Sequence, residues 1–457
     1  MTKIKVKNGV HDYSDPLQYI PPQEPNVQEH IEYFMGLKLG LMMHWAPGCQ
    51  FGTYESWPLS DGDSSWSQED IDWTDIETFK QQYIHSNRTF NPVKFRPDKW
   101  AKLAKDCGFK YLLFTTKHHD GFCMFDTQTT NYKITDSSCP FHTHPYADIV
   151  GSLYEAFRKE GLAISTYFSK PDWHSDYYWH KAFGTAKTRN VNYTIKEHPE
   201  LWEKFVEYTH SQIEELCTKY GKIDVLWLDG GWVNPNNLDQ DIDLPTIVNK
   251  IRTTTQPHLI VCDRTVGGPF ENIITPEKTI PETALDVPWE TCTTLGQKFS
   301  FHYTDTFKTG LQLVHLLLDI VCKGGNLALN VAPQPDGELP KPAVLSMKQL
   351  GAWLNIFGEG IYNTHIVAPY FNDRIKYTAK DNMTYAFYLY DEIPLLPHHI
   401  TLHSATTVKT IHSIRTKELI PFEQHMDTIT LNVSSLHLQD AFYAEGFVLV
   451  HEGDLNN

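Results

Sequence analysis

The clearest indication of the fold lies at residues 223–232, which read Ile-Asp-Val-Leu-Trp-Leu-Asp-Gly-Gly-Trp. Its apolar residues stand on consecutive positions, as in a strand that is buried on both faces. Asp229 ends the run, and two glycines follow it. A carboxylate placed there is open to a ligand, although a helix N-cap or a turn is the plainer alternative. Trp227 and Trp232 flank it and favour a sugar ring against an aromatic face.

Similar apolar runs recur along the first 340 residues, with helical patterns between them. The runs cover residues 37–44, 111–116, 163–168, 223–228, 259–262 and 327–331. Helices are predicted over 97–107, 148–160, 201–220 and 304–323, because each pattern is followed by a glycine. Repeated strand–helix units predict a parallel sheet with helices outside. No such pattern stands out at 55–95 or at 172–192.

Polar residues stand at the ends of these runs, among them His44, the group Lys117-His118-His119-Asp120, Tyr167, Asp229 and the pair Asp263-Arg264. In a (β/α)8 barrel, the loops after the strands converge on one site. A doubly wound open sheet would gather them in one crevice, but no G-x-G-x-x-G follows the first run. The sequence therefore predicts an α/β fold, a (β/α)8-like TIM barrel, as a catalytic domain at residues 1–358.

The pattern changes in the last hundred residues. Alternation with period two appears at 385–390, 399–403, 408–414, 428–431 and 444–450, with turn residues between the segments. Such segments are typical of antiparallel strands. We expect a small C-terminal antiparallel β-sandwich at residues 359–457.

Composition narrows the class of partner. The 457 residues contain 39 Lys and Arg against 56 Asp and Glu, so the net charge is −17. A strongly acidic protein repels polyphosphates, which argues against nucleic acid and anionic membranes as partners. The 12 Trp, 23 Tyr, 24 Phe and 23 His favour a binding cleft. The sequence leaves a homo-oligomer open.

The ends of the chain and its cysteines bear on localisation. No apolar segment of signal-peptide type stands at the start, and the longest apolar stretch, 311–322, is too short to span a bilayer. The eight cysteines lack CxxC spacing and are expected to be reduced, mostly buried thiols. We expect a cytoplasmic protein, or a periplasmic or secreted one if a signal peptide has been removed.

Several carboxylates could act with Asp229. Glu271, Glu277 and Glu290 follow the fifth run, and a glycosidase needs two carboxylates, one that attacks the anomeric carbon and one that protonates the leaving oxygen. Arg264 could hold a hydroxyl or a carboxylate, or form an ion pair between loops.

The adjacent histidines His118 and His119 have two interpretations, a metal site or hydrogen bonds to substrate hydroxyls. Neighbouring side chains on a strand point to opposite sides, and no zinc-ligand spacing surrounds the pair. We therefore predict no metal.

Five motifs, taken in their order along the chain, resemble the retaining α-L-fucosidases of glycoside hydrolase family 29. They are His44-Trp45, residues 115–122 (Thr-Thr-Lys-His-His-Asp-Gly-Phe), residues 224–229, Trp289-Glu290-Thr291-Cys292 and residues 323–333. The resemblance covers about residues 30–340. It implies an exo-acting hydrolase that removes terminal α-L-fucose from a fucosylated oligosaccharide or glycoconjugate, without a cofactor.

The resemblance also implies roles for single residues. It makes Asp229 the nucleophile and Glu277 the acid/base, with Glu290 and Glu271 as further candidates for the latter role. The residues implied to line the fucose pocket are His44, Trp57, His118, His119, Tyr167, Trp227 and Arg264. Two alternatives remain: a metal-dependent hydrolase that uses His44, His118, His119 and Asp229, and a non-catalytic fucose-binding protein.

Overall fold

The structure, a computed structural model, describes residues 3–4, 13–62, 64–69, 71, 75–372, 374–437 and 443–452. A short antiparallel pair, β1 (Lys3–Ile4) with β2 (Tyr13–Ser14), precedes the main sheet. That sheet is parallel, with strand order β7-β6-β5-β4-β3-β9-β8. Its strands are β3 (Leu39–Met43), β4 (Tyr111–Lys117), β5 (Ala163–Ser169), β6 (Val225–Asp229), β7 (Ile260–Asp263), β8 (Glu290–Thr294) and β9 (Asn326–Asn330). Nearly every residue of these strands is buried, as the continuous apolar runs predict.

Helices lie between the strands: α1 (Pro25–Gly36), α2 (Ile76–Ile84), α3 (Pro97–Asp106), α4 (Ile149–Lys159), α5 (Pro199–Lys219), α6 (Leu244–Thr254), α7 (Gly310–Val321) and α8 (Lys341–Phe357). The helix expected from residue 304 begins at Gly310 instead. Thr309 accepts a hydrogen bond from the Gln312 amide and donates its own amide to the Gln312 side chain, a capping box that fixes the start. Among the described helices, none is long and apolar enough to cross a membrane.

The parallel sheet does not close into a ring of eight strands. β7 and β8 are its two edges, and residues 270–277 lie in the gap between them. These residues make isolated bridges only, Cys262 with Glu271, Ile274 with Trp289 and Glu277 with Cys292. Pro276 stands in the segment, and a proline cannot donate to a strand ladder. The (β/α)8-like prediction therefore holds for the curled parallel sheet and its helices, but in the part of the chain that the structure describes no eighth strand closes the sheet.

The C-terminal part forms two antiparallel sheets, with strand orders β10-β11-β12-β17-β14 and β13-β16-β15. Their strands are β10 (Phe371–Asn372), β11 (Ile375–Lys380), β12 (Met383–Leu389), β13 (His399–His403), β14 (Val408–Ser413), β15 (Phe422–His425), β16 (Thr428–Asn432) and β17 (Ala444–His451). Side chains of both sheets, among them Tyr377, Ile400, Leu431 and Phe447, form one apolar cluster, as in a sandwich. The boundary predicted at residue 358 lies between α8 and β10.

Register aligns the carboxyl ends of the central strands. Tyr167 pairs with Trp227, Ser169 with Asp229, and Leu228 with Asp263. In a parallel sheet, residues at matching ends face the same edge. The polar residues that end the runs are therefore brought together by the pairing of β5, β6 and β7.

Candidate active site

A cavity of about 480 Å³ opens at the carboxyl ends of the parallel strands. Eight of the predicted residues line it: His44, Trp57, His118, Tyr167, Trp227, Asp229, Arg264 and Glu277. The ninth, His119, is fully buried behind the cavity, where its Nε2 lies 3.7 Å from Asp229. The fold therefore brings the predicted set of residues to one place.

Asp229 is held by two donors at the end of β6. Arg264 donates from Nη1 to Oδ1 at 2.6 Å, and the Tyr167 hydroxyl donates to Oδ2 at 2.6 Å. Burial alone would raise the pKa of Asp229, but Arg264, His119 and the Tyr167 hydroxyl outweigh it and hold the pKa well below its usual range. Asp229 is therefore an ionised carboxylate that points into the cavity.

Arg264 joins the two predicted carboxylates. Besides Asp229, its guanidinium contacts Glu277 through Nη2 at 3.0 Å, and its Nε donates to the Thr275 hydroxyl at 3.3 Å. The guanidinium also lies 4.4 Å from the centre of the Trp227 ring, which fixes its plane. One planar cation thus holds two acidic side chains at the same cavity.

The three candidate acid/base residues, Glu277, Glu290 and Glu271, occupy different positions relative to the cavity. Glu277 lines the cavity, where the bridge from Glu277 to Cys292 places it beside β8. Glu290 accepts hydrogen bonds from the Trp227 indole, at 3.1 Å, and from the Tyr111 hydroxyl, and it is buried beneath the site. Burial raises the pKa of Glu290 to about 7.

In the described structure, Glu271 lies outside the cavity that Asp229 and Glu277 line. It accepts hydrogen bonds from the Ser14 hydroxyl at 2.6 Å and from the amides of Thr265 and Gly267. Among the described residues that line the cavity, neither Glu271 nor Glu290 is present. Of the three, Glu277 alone has the position that proton transfer to a bound ligand requires.

The histidines supply neutral polar groups. His44 Nδ1 lies 2.9 Å from the Asn330 side-chain oxygen, and His118 Nδ1 lies 2.5 Å from the Ser56 hydroxyl. Burial lowers the pKa of His44 to about 4, and burial together with His119 and His44 holds the pKa of His118 well below its usual range. At neutral pH these rings can exchange hydrogen bonds with hydroxyl groups without adding charge.

His118, His119 and Asp229 also form a group whose ligand atoms lie within 4.8 Å of one another. The donors around it favour a different use. Both oxygens of Asp229 already accept hydrogen bonds from Arg264 and Tyr167, and a guanidinium beside a carboxylate competes with a metal ion for its charge. The geometry therefore fits an organic ligand at Asp229 better than a cation.

Sequence reasoning missed several residues of the cavity. Glu55 is the most consequential, because burial raises its pKa to about 7 while its Oε1 accepts the Ser300 amide at 2.6 Å. It stands two residues before Trp57, and the resemblance to the family implies a role in the pocket only for the tryptophan. The others are Met42, Arg189, Asn190, Gly231, Asn234, Asn237, Thr265, Cys292 and Phe299. Trp232, which the sequence places beside Asp229 as an aromatic face for a ligand, lines the cavity as well.

Comparison with known proteins places this geometry in a family. The α-L-fucosidase family model matches residues 10–359. The chain belongs to the α-L-fucosidase family. It is therefore a glycoside hydrolase that acts on fucose, and the resemblance seen in the motifs is confirmed.

Individual relatives agree with the family. The chain is 27% identical over 402 residues to tissue α-L-fucosidase of Bos taurus, which covers 81% of this chain and 80% of that protein. Among solved structures, α-L-fucosidase isoenzyme 1 from Paenibacillus thiaminolyticus superposes with a TM-score of 0.76 at 27% identity, over 93% of this chain and 100% of that one. The α-fucosidase of Thermotoga maritima in complex with a mechanism-based inhibitor superposes with a TM-score of 0.73 at 25% identity, over 95% of this chain and 100% of that one.

Proposed function

We propose that the chain is a retaining exo-α-L-fucosidase that hydrolyses terminal α-linked L-fucose from glycans through a covalent fucosyl-enzyme on Asp229. The observation that carries the proposal is the guanidinium of Arg264, which contacts an ionised Asp229 and Glu277 at one cavity. A retaining glycosidase needs two carboxyl groups about 5–5.5 Å apart, one as nucleophile and one as acid/base.

In the first step, an oxygen of Asp229 forms a bond to the anomeric carbon as the bond from that carbon to the leaving oxygen breaks. The carboxyl group of Glu277 gives its proton to the leaving oxygen, so the aglycone departs as an alcohol. Arg264 and the Tyr167 hydroxyl hold Asp229 on the face from which it attacks. Because they are already in place, little reorganisation is needed in the transition state.

In the second step, water attacks the anomeric carbon and Glu277 accepts its proton, which releases Asp229 as a carboxylate. The exchange of roles has an electrostatic basis. The charge of Asp229 is present in the first step and absent in the ester, so the same carboxyl group of Glu277 acts as acid in the first step and as base in the second, as a retaining glycosidase requires.

The walls of the cavity match a deoxy sugar. Fucose carries a methyl group and three hydroxyls, so it needs one apolar surface and several polar partners. Trp57, Trp227 and Phe299 provide the apolar surface, while His44 and His118 provide polar partners. A fucosylated oligosaccharide or glycoconjugate is the substrate that this arrangement supports.

The stereochemistry of the first product tests the proposal. We expect that proton NMR during hydrolysis of 4-nitrophenyl α-L-fucoside detects α-L-fucose before mutarotation. Appearance of β-L-fucose first would overturn the retaining mechanism. Absence of any hydrolysis by the folded protein would overturn the proposed function as a whole.

A further inference from the structure

The cavity extends beyond the catalytic pair to an outer part that the mechanism above does not use. Arg189, Asn190, Trp232, Asn234 and Asn237 line this part and are all half-buried. They belong to the loops after β5 and β6, which rise from neighbouring strands at the same edge of the sheet. A volume of about 480 Å³ lies in the range of pockets that hold ligands larger than one sugar ring.

The outer part is preorganised by contacts between the two loops. The Trp232 indole donates to the Arg189 carbonyl at 3.2 Å. The Asn237 amide donates to the Asn190 side chain at 2.8 Å and to the Trp232 carbonyl at 2.7 Å. A surface held in this way loses little conformational entropy when a ligand binds.

Arg189 occupies the central position. Its guanidinium lies 5.1 Å from the centre of the Trp232 ring and 5.6 Å from that of Trp57. Trp57 also contacts His119, which lies beside Asp229, so the outer part adjoins the catalytic pair across one aromatic wall. A guanidinium fixed between aromatic rings presents donors in a defined plane, which suits the hydroxyls of a second sugar.

We propose that Arg189, Trp232 and Asn234 form the subsite for the sugar to which the fucose is linked, a neutral pyranose. The inference rests on the proposed function, because it assigns the other half of the bond that Asp229 and Glu277 break. Amide and guanidinium groups would bind its hydroxyls, and Trp232 would contact its apolar face.

The test compares substrates with and without an aglycone sugar. α-L-Fucosyl fluoride carries the fucose alone, whereas disaccharides with fucose α1,2-, α1,3-, α1,4- or α1,6-linked to galactose or N-acetylglucosamine reach the outer part. For Arg189→Gln, we expect the ratio of kcat/KM for the best disaccharide to that for the fluoride to fall about tenfold, since one or two polar contacts are lost. Arg189→Lys keeps the charge and should fall by an intermediate factor.

Asn236→Ala is the matched control. Asn236 is exposed, lies in the loop after β6 with Trp232 and Asn234, and does not line the cavity in the described structure. In Asn236→Ala, kcat/KM for the fluoride and kcat/KM for the disaccharide should therefore both stay within about twofold of wild type. An unchanged ratio in Arg189→Gln would overturn the inference, as would a folded wild type that cleaves the fluoride and none of the disaccharides. If the wild type cleaves neither kind of substrate, the proposed function itself fails.

Discussion

Asp229 and Glu277 accept hydrogen bonds from the same guanidinium, at 2.6 Å and 3.0 Å. Arg264 follows β7, Asp229 ends β6 and Glu277 lies in the segment that bridges β7 to β8. The gap between the edge strands β7 and β8 is therefore also the place from which the carboxylate of Glu277 reaches the cavity. Had an eighth regular strand filled the gap, alternation along that strand would have governed which way Glu277 points.

Replacement of Asp229 tests its proposed role as the nucleophile. For Asp229→Ala we expect kcat/KM on 4-nitrophenyl α-L-fucoside to fall at least about a thousandfold, because the covalent step is lost. Added azide should occupy the vacated space, attack the anomeric carbon and give β-L-fucosyl azide, which NMR identifies. Asp243→Asn, at an exposed position before α6, should retain full activity. Near-wild-type hydrolysis by Asp229→Ala would remove Asp229 from the mechanism.

Glu277 and Glu290 can be told apart by leaving-group dependence. Glu277→Ala should slow phenyl α-L-fucoside far more than an activated nitrophenyl fucoside, since a poor leaving group needs the proton. Azide should accelerate the activated substrate and yield α-L-fucosyl azide, with retained configuration. Glu282→Ala, an exposed neighbour, serves as the control. Azide rescue in Glu290→Ala but not in Glu277→Ala would reassign the acid/base.

The buried carboxyl of Glu290 should make stability depend on pH. Burial raises its pKa to about 7 in the folded protein, against about 4.5 unfolded, so between these values the folded state holds a proton that the unfolded state has lost. The free energy of unfolding should therefore fall as pH rises from 5 to 8, by up to about 3 kcal/mol from this group. Urea unfolding of Glu290→Gln should show a shallower decline than wild type.

The slope against pH is the quantity to compare, because Glu290→Gln also changes the hydrogen bonds to Tyr111 and Trp227 at every pH. Exposed Glu282→Gln should keep the wild-type slope. Equal slopes in wild type and Glu290→Gln would show that Glu290 is ionised in the folded protein at neutral pH.

Gly40 tests the packing under the site. A Cβ at this position in β3 would lie 2.0 Å from the Tyr111 ring, whose hydroxyl contacts Glu290. Gly40→Ala should lower the free energy of unfolding by about 1–3 kcal/mol through overpacking. A Cβ at Gly161 would meet nothing within 4 Å, so Gly161→Ala has only the cost of a positive φ. Its shift of the unfolding midpoint should therefore be smaller than that of Gly40→Ala. A larger effect at Gly161 would contradict this packing.

Much of the fold follows from local patterns. Strands β3, β4, β5, β6, β7 and β9 lie within or beside the predicted apolar runs, because a strand buried on both faces must be apolar throughout. Strand β8, Glu290–Thr294, escaped prediction because it is polar and still buried. Its threonines and Glu290 find partners only in the folded chain, such as the Thr279 carbonyl for Thr291. The eight cysteines are all buried and unpaired, as their spacing indicates.

The sequence predicts that Asp229 ends a buried strand, that Tyr167 lies near the end of another and that His44 and Arg264 come directly after two more, since these are properties of neighbouring residues. Which glutamate shares the cavity with Asp229 depends on the tertiary structure, and so does the ionisation of Asp229. Arg264 and Tyr167 stand 35 and 62 positions away along the chain, and they reach its two oxygens only because β5, β6 and β7 pair in this register. The direction of a side chain along a strand is set by its neighbours in the sequence. Charge and hydrogen bonding act between residues that are close in space, and the pairing of the strands determines which residues those are.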